Sequence, residues 1–248
     1  MRIARTNGPD GPVHLGSWSS DDSQWLRIAD PYEAFARGEE PAVLDEAPVE
    51  HPTLLAPCKP LVVVGIAQNG PSHPSPVQAW LKSPRTVVAA GEPAVLRRDA
   101  GRTDAEGEVA IVIGRDTTGL GASTALDYVL GVTAVNDVSN SGRATHDPRN
   151  FEGKSGVGYT PLGPWIDTSA DPETVALAVD VDGERRATTS AADLPAGIRE
   201  CLAYVASWTT LGPGDVVMTG APRTVVEVHP GQTAVVTVGG IRLETPLI

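Results

Sequence analysis

Short apolar segments alternate with turn residues along most of the chain after residue 58. The segments are rich in valine, isoleucine and threonine, and glycine, proline, asparagine or aspartate separates them. This pattern is typical of β-strands joined by tight connections. It predicts strands over Leu61–Ile66, Val87–Ala89, Glu108–Ile113, Val132–Val135, Val175–Val181, Val216–Met218, Thr233–Val238 and Arg242–Thr245. The dipeptides Asp182-Gly183 and Gly239-Gly240 favour two-residue hairpin turns, so the strands on either side are predicted to pair antiparallel.

Three segments show helical signals instead. In "DPYEAFARG", Asp30 can cap a helix that begins at Pro31 and stops at Gly38. "STALDYVLG" predicts a helix with a Ser123 cap that ends at Gly131. In "DLPAGIRECLAYVASW", apolar residues recur at helical spacing, at Ile198, Cys201, Leu202, Val205 and Trp208.

The first 57 residues differ from the rest, because they are rich in turns and acids and end in the acidic connector "EEPAVLDEAPVEHP". We therefore expect a small N-terminal domain over residues 1–57 and a β-rich domain over residues 58–248. Strands and helices do not alternate regularly, and no GxGxxG or phosphate loop follows a strand. The predicted class is α+β, a β-rich roll with few helices.

Charge and composition limit the classes of partner and the location that we expect for this protein. A net charge of −12 disfavours nucleic acid and anionic membranes as partners, because both require a basic surface. No apolar run is long enough to span a bilayer, and the N-terminus lacks the apolar core of a secretion signal, so we expect a cytoplasmic protein. Cys58 and Cys201 do not form a disulfide pattern and are predicted to be core residues. Of the 19 basic residues only Lys59, Lys82 and Lys154 are lysines, which raises the question of whether a compact ammonium is needed at those positions.

Two glutamates stand one residue apart in "EGEVAIVIG". Because side chains alternate along a strand, Glu106 and Glu108 share one face, roughly 7 Å apart at the backbone. Asp137 closes a later strand-like segment. Together the three acids could offer hard oxygen ligands to one divalent cation, although paired acids at a strand end also occur as a solvated rim.

Several motifs around these acids resemble the fumarylacetoacetate hydrolase family. In order over residues 61–222 they are "LVVVGIA", "AWLKSP", "EGEVAIVIGRD", "ALDYVLGVTAVNDVS", "KSGVGYTPLGPW" and "TLGPGDVVMTGAP". The resemblance implies a mixed β-roll, usually dimeric, preceded by a small N-terminal domain. It also implies a Mg²⁺ or Mn²⁺ site held by Glu106, Glu108 and Asp137.

The resemblance also implies the chemistry. Family members cleave or rearrange small 1,3-dicarbonyl compounds and 2-oxo acids, and a divalent ion bound to both substrate oxygens stabilises the enolate. By resemblance, Lys154 would add a positive charge beside that enolate. Thr219 would donate to the substrate, or alternatively serve as a turn residue that holds the strand end.

The chain departs from the family where the acid/base dyad is expected. After the first strand it reads "GIAQNGPSHPSP", with Ala67 and Gln68 in place of an Asn-Tyr pair and Pro71 in place of the dyad histidine. His73 could substitute if the loop is rebuilt, or could be a surface histidine. His146 is the other histidine that could act, in a loop between Asp137 and Lys154.

Other polar positions change as well. Ser141 and Ala144 stand where the family commonly has substrate-contacting Arg and Gln, and Val157 replaces an Asp. "TGAPRT" places Arg223 at the expected pocket edge, so Thr219, Ser141 and Arg223 are the substrate-binding candidates. These losses predict a roomier pocket and a larger, less charged substrate than a small dianion.

The sequence therefore predicts a metal-dependent enzyme acting on a 1,3-dicarbonyl or 2-oxo acid through a metal-chelated enolate. Without a general base, hydrolysis should slow by roughly 10²- to 10⁴-fold, which favours tautomerisation, decarboxylation or carbon–carbon rearrangement. Two alternatives remain open: an acylpyruvate-type carbon–carbon hydrolase, and a binding or scaffold protein without catalysis.

Overall fold

The computed structural model describes residues 1–19, 24–67, 69 and 76–248. Within them the two α-helices are α1 (Pro31–Arg37) and α2 (Ile198–Trp208). The strands are β1 (Arg2–Gly8), β2 (Gly11–Ser17), β3 (Trp25–Ile28), β4 (Val43–Val49), β5 (Val63–Ala67), β6 (Gln78–Lys82), β7 (Val87–Val88), β8 (Thr103–Ile113), β9 (Val129–Asn136), β10 (Thr160–Pro161), β11 (Ile166–Asp167), β12 (Ala176–Val181), β13 (Glu184–Ser190), β14 (Val216–Met218), β15 (Val225–Val228), β16 (Thr233–Val238) and β17 (Ile241–Pro246).

Within the described residues, the main sheet has eleven strands, in the order β4-β3-β2-β1-β11-β9-β8-β14-β5-β6, with β15 paired to one end of β8. A second, four-stranded sheet has the order β13-β12-β16-β17. The long strand β8 lies at the centre of the main sheet and has β9, β14 and β15 as neighbours. The side chains of β8 therefore lie close to residues of β9, β14 and β15.

Side chains on β8 alternate between two cores. Val109, Ile111 and Ile113 belong to a core that also contains residues of the second sheet and of α2. Ala110 and Val112 point the other way, into a second core with residues of β5, β9 and β14. Because the side-chain period is two, Glu106 and Glu108 lie on the same face as Ala110 and Val112. The acids thus extend an apolar row at one end of the strand.

Most sequence predictions in the C-terminal part are confirmed. The β-rich fold with few helices is observed, and each predicted strand overlaps an observed one. Strands β12 and β13 pair around Asp182-Gly183, whose φ angles of 53° and 81° fit a tight hairpin turn. Helix α1 has its predicted cap, since Asp30 accepts hydrogen bonds from the amides of Tyr32 and Glu33. Helix α2 also forms, and Cys58 and Cys201 are buried and unpaired.

The helix predicted over 123–131 is wrong. Residues Ala122–Tyr128 form a 3-10 turn whose cap residue is Gly121, and Ser123 is not the cap. Strand β9 begins at Val129, because pairing with β8 takes Val129–Asn136, which contains three valines and a threonine, into the main sheet. The tertiary hydrogen bonds outweigh a weak local helix signal.

The N-terminal segment contains more strand than the turn-rich pattern predicted. Strands β1, β2 and β3 pair in order, and the predicted connector contains β4 at the sheet edge. Almost all of β4 is exposed, so its sequence shows no alternation. Strand β1 pairs with β11, which joins these strands to the main sheet. The division into domains at residues 57 and 58 stays a prediction.

No helix in the described part of the chain is both long and apolar enough to cross a membrane.

Candidate active site

Three carboxylates meet at the end of the central strand pair. Strand β8 carries Glu106 and Glu108 on one face, and Asp137 follows directly after β9. The Asp137 amide donates to the Glu106 carbonyl at 2.9 Å, which holds the two residues side by side. One carboxylate oxygen from each of the three residues lies within 4.8 Å of the others. Because β8 and β9 pair antiparallel, acids that are far apart in the sequence form one cluster.

Glu108 is buried, with 3% of the residue exposed, and only Asp137 is less exposed among the three acids. Its Oε2 accepts a 2.7 Å hydrogen bond from the amide of Gly220, the residue after the strand-end Thr219. Burial, together with the nearby charges of Asp137 and Glu106, raises the pKa of Glu108 well above its usual range. Positive charge is therefore required here if all three acids are to remain ionised.

Lys82 supplies part of that charge from strand β6. Its ammonium is buried and contacts Asp137 Oδ1, and it also donates to the carbonyl of Tyr159 at 2.6 Å. Burial lowers the pKa of Lys82, even though Asp137 opposes the shift. For Asp137, burial would raise the pKa, but Lys154 and Lys82 outweigh it and the net shift is downward.

Lys154 completes the charged cluster from the loop after β9. Its Nζ lies 2.6 Å from Asp137 Oδ2, 3.0 Å from Glu106 Oε1 and 2.5 Å from Ser139 Oγ. Burial disfavours its charge, but the attraction of Asp137 and Glu106 is larger and raises its pKa. Lys154 is therefore a firmly charged ammonium at the edge of the acidic cluster.

The cluster opens into a cavity of about 1070 Å³. Glu106, Glu108, Asp137 and Lys154 are among the residues that line it. The rest of the described lining is mixed polar and apolar: Ile66, Ala67, Asn69, Gln78, Trp80, Ala144, Asp147, Pro148, Asn150, Gly220, Ala221, Arg223 and Val225. A space of this size exceeds a small 2-oxo acid and lies at the upper end of ordinary ligand sites.

The substrate-binding candidates occupy different places. Arg223 lines the cavity and has a positive φ of 66°. Thr219 is buried, and its hydroxyl donates to the Val109 carbonyl at 2.9 Å, which matches the strand-holding alternative. Ser141 lies beside Arg102, whose carbonyl is 3.4 Å from its hydroxyl, and it is not among the described lining residues. Its near neighbour Ala144 does line the cavity.

Of the two histidine candidates, the structure describes only His146, and it does not place that residue in the cavity. His146 is exposed and does not belong to the described cavity lining, although its neighbour Asp147 does. His73 lies outside the described residues, as do Gln68 and Pro71. Val157, which replaces a family aspartate, is 69% exposed. It is also outside the described lining of the cavity.

Sequence reasoning missed the roles of three residues. Lys82 was recognised as one of three lysines and as part of "AWLKSP", but its burial against Asp137 depends on the pairing of β6 with β5. Trp80 lies two residues before Lys82 on β6, so it is on the same face of that strand, and it lines the cavity. Asn69 is buried and donates to the carbonyls of Thr219 at 2.7 Å and Ala196 at 3.1 Å, so it joins two loops beside the cavity. The sequence signals for Lys82 and Trp80 were the scarcity of lysine and the motif "AWLKSP", which contains both residues.

The residues present fit a divalent cation. Three clustered carboxylates offer hard oxygen donors, which suit Mg²⁺ or Mn²⁺ better than a soft metal. The cluster contains three carboxylates but only two ammonium groups, those of Lys82 and Lys154. A bound cation would supply the positive charge that the buried Glu108 needs in order to ionise. The donor set of the acidic cluster therefore fits a divalent metal ion.

The chain is similar in sequence to two known enzymes. The chain is 31% identical over 225 residues to the 4-hydroxyphenylacetate degradation bifunctional isomerase/decarboxylase of Escherichia coli, which covers 84% of this chain and 52% of that enzyme. It is 35% identical over 155 residues to maleylpyruvate hydrolase of Aquipseudomonas alcaligenes, covering 61% of this chain and 53% of the hydrolase. The chain thus spans about half the length of these two enzymes.

A solved structure matches over the whole chain. The crystal structure of 5-carboxymethyl-2-hydroxymuconate delta-isomerase from Mycobacterium smegmatis superposes with a TM-score of 0.89 at 31% identity, covering 100% of this chain and 99% of that one. The family model described as fumarylacetoacetate (FAA) hydrolase C-terminal matches residues 58–247. With the acidic cluster, the fold and the sequence all in agreement, this chain belongs to the fumarylacetoacetate hydrolase family.

Proposed function

We propose that the protein is a divalent-metal-dependent enzyme that converts a 1,3-dicarbonyl or 2-oxo substrate through an enolate without activating water. Tautomerisation, decarboxylation and carbon–carbon rearrangement are the reactions of this kind. The observation that carries the proposal is the convergence of Glu106, Glu108 and Asp137 within 4.8 Å, with the Lys154 ammonium in contact with two of them. Mg²⁺ or Mn²⁺ as the ion and a homodimeric assembly are part of the proposal.

When bound to Glu106, Glu108 and Asp137, a divalent cation would supply Lewis-acid stabilisation of negative charge on substrate oxygens. Lys154 would provide a second fixed positive charge. Because it is anchored by Asp137, Glu106 and Ser139, its ammonium does not need to reorganise when charge develops on the substrate. Lys82 is buried behind Asp137, so it would hold that carboxylate in position without touching the substrate.

A reaction without hydrolysis is supported by the described lining of the cavity, in which no group is placed to activate water. Histidine is absent from the described residues that line the cavity. Asp147 lines it, but its Oδ2 accepts a 2.8 Å hydrogen bond from the amide of Gly153, and the side chain is largely buried. This arrangement suits Asp147 to holding the loop of Lys154 rather than to removing protons from water.

Hydrolysis of a carbon–carbon bond is the second candidate function. The similarity to maleylpyruvate hydrolase favours it, while the similarity to the bifunctional isomerase/decarboxylase and the delta-isomerase favours the first candidate. Membership of this enzyme family does not support the scaffold alternative.

The test is an assay of the purified protein with Mg²⁺ and with Mn²⁺ against acetylpyruvate, fumarylpyruvate, oxaloacetate and the larger benzoylpyruvate. We expect conversion that requires the metal and is lost in Glu106→Gln. Hydrolysis of any of the first three at kcat/KM of about 10⁴ M⁻¹s⁻¹ or more would establish the hydrolase alternative. No metal-dependent conversion of any 1,3-dicarbonyl or 2-oxo compound would contradict both candidates.

A further inference from the structure

The indole ring of Trp80 lines the cavity close to the charged side chains. Trp80 lies on β6 and pairs with Gly65 on β5. Gly65 pairs in turn with Met218, and Met218 with Ala110. Register partners lie on the same face of a sheet, so Trp80 is on the same face as Ala110 and hence as Glu106 and Glu108. The aromatic wall and the acids therefore border one space.

The ring position depends on a missing side chain. A Cβ added to Gly65 would lie 2.3 Å from Cζ2 and 2.4 Å from Cε2 of Trp80. Real Cβ atoms do not approach so closely, so any larger residue at position 65 would displace the indole. Gly65 thus permits Trp80 to lie flat against the strand. The exposed remainder of the ring is available to the cavity, which Trp80 lines.

The ring is also next to the group that would stabilise the enolate. The Lys154 Nζ lies 5.1 Å from the centroid of the Trp80 ring, within the range of a cation–π contact. Ala67, Ala144 and Val225 add apolar surface to the same cavity, and Val225 lies beside Glu106 as its register partner. A substrate whose charged head meets Lys154 would therefore extend its body along the indole.

We propose that Trp80, supported by Gly65, makes the site selective for substrates with a flat, conjugated body attached to the dicarbonyl head. This inference rests on the proposed function, since it assumes that the head binds at the acidic cluster. A flat conjugated group can stack on the indole, whereas a methyl group in the same position covers little of the ring. Stacking of this kind corresponds to a preference of roughly two- to tenfold, and burial of the additional apolar surface increases it.

Two inert probes test the proposal. N-phenyloxamate and N-methyloxamate share a 2-oxo acid head, have no carbon that could enolise, and differ only in the flat ring. Their dissociation constants would be measured by isothermal titration calorimetry in the presence of Mg²⁺. We expect the phenyl compound to bind at least about tenfold more tightly to the wild-type protein.

Four variants distinguish the contribution of the Trp80 ring to probe binding from that of the rest of the site. Trp80→Phe retains a flat ring and should keep most of the preference, whereas Trp80→Leu and Gly65→Ala should reduce it to below about threefold with little effect on N-methyloxamate. Trp208→Phe is the control, because Trp208 is 79% exposed on α2 and should leave both constants unchanged. Circular dichroism would establish that each variant is folded.

The outcomes distinguish this inference from the proposed function. Equal binding of the two probes, or a preference that persists in Trp80→Leu, would overturn the role of Trp80 and leave the proposed function standing. Failure of both probes to bind with Mg²⁺, or binding that is unaffected by Glu106→Gln, would overturn the proposed function and this inference with it.

Discussion

Lys82 and Asp137 form an ion pair that is closed to solvent, with side chains 0% and 1% exposed. The Lys82 ammonium also donates to the carbonyls of Tyr159 and Val138, at 2.6 and 3.3 Å. These contacts use all of its hydrogen-bonding capacity. Lys82 thus holds Asp137 from behind, while Lys154 contacts the other carboxylate oxygen from the cavity side.

Removing Lys82 should destabilise the fold. In Lys82→Met, Asp137 and two carbonyls lose a buried partner, and breaking one side of a buried ion pair costs about 3–5 kcal/mol. Urea unfolding would measure the loss. Lys59→Met is the control, since Lys59 is exposed and its replacement should change the free energy of unfolding by less than about 0.5 kcal/mol. Equal, small effects would show that Lys82 is not essential to the buried cluster.

The three carboxylates should be required together for metal binding. Glu106→Gln, Glu108→Gln and Asp137→Asn each remove one charged donor, so Mg²⁺ and Mn²⁺ should bind at least about tenfold more weakly. Titration calorimetry would give the affinities. Glu227→Gln, on the neighbouring strand β15, is the matched control and should bind like the wild type. Metal binding that survives every substitution would place the ion elsewhere.

Metal binding should also stabilise the folded protein. A ligand that binds only the native state adds about 2.7 kcal/mol at a concentration of 100 times its Kd. The Tm should therefore rise with Mg²⁺ in the wild type and return to its starting value with a chelator. The same addition should raise the Tm of Glu108→Gln clearly less than that of the wild type; an equal rise in both would contradict a site at this cluster.

Lys154→Met should affect turnover more than metal affinity. Its ammonium would act mainly as charge develops on the substrate, so we expect kcat to fall about 10²-fold while the Kd for Mg²⁺ changes by less than about threefold. The kcat would be measured with the compound of the assay panel that reacts fastest, and the Kd for Mg²⁺ by titration calorimetry. Losses of equal size in kcat and metal affinity would instead mark Lys154 as a structural support for the acids.

His14 should make stability fall in mild acid. Burial lowers the pKa of His14, with Arg5 adding to the shift and Asp30 opposing it, and its ring packs edge-on to Tyr32 at 6.0 Å. Because the unfolded state then binds a proton more readily than the native state, stability is full above the unfolded pKa of about 6.5 and declines as pH falls below it.

The measurement is the free energy of unfolding from pH 8 to pH 5.5. His14→Gln should show a weaker decline than the wild type over this interval, whereas the exposed His229→Gln should follow the wild type. Parallel curves for all three proteins would show that His14 does not account for the pH dependence.

The sequence by itself determined the family and most of the strands that carry it. Glu106 and Glu108 could be assigned to one face because side-chain alternation is a local property of a strand. Helix α2 was predictable for a similar reason, since apolar spacing reports which face of a helix is buried. The β-branched residues of β12 and β16 and the turn at Asp182-Gly183 likewise specify their structure locally.

Only the tertiary structure decided which distant segments meet. Strand β4 and the first residues of β9, Val129–Gly131, form because neighbouring strands pair with them, and the local sequence does not show those partners. In the same way, Lys82 becomes a buried counter-ion and Trp80 a cavity wall only when β6 joins the edge of the main sheet. Charge pairing and ring stacking depend on distances through space, and the hydrophobic pattern of a single strand contains no information about those distances.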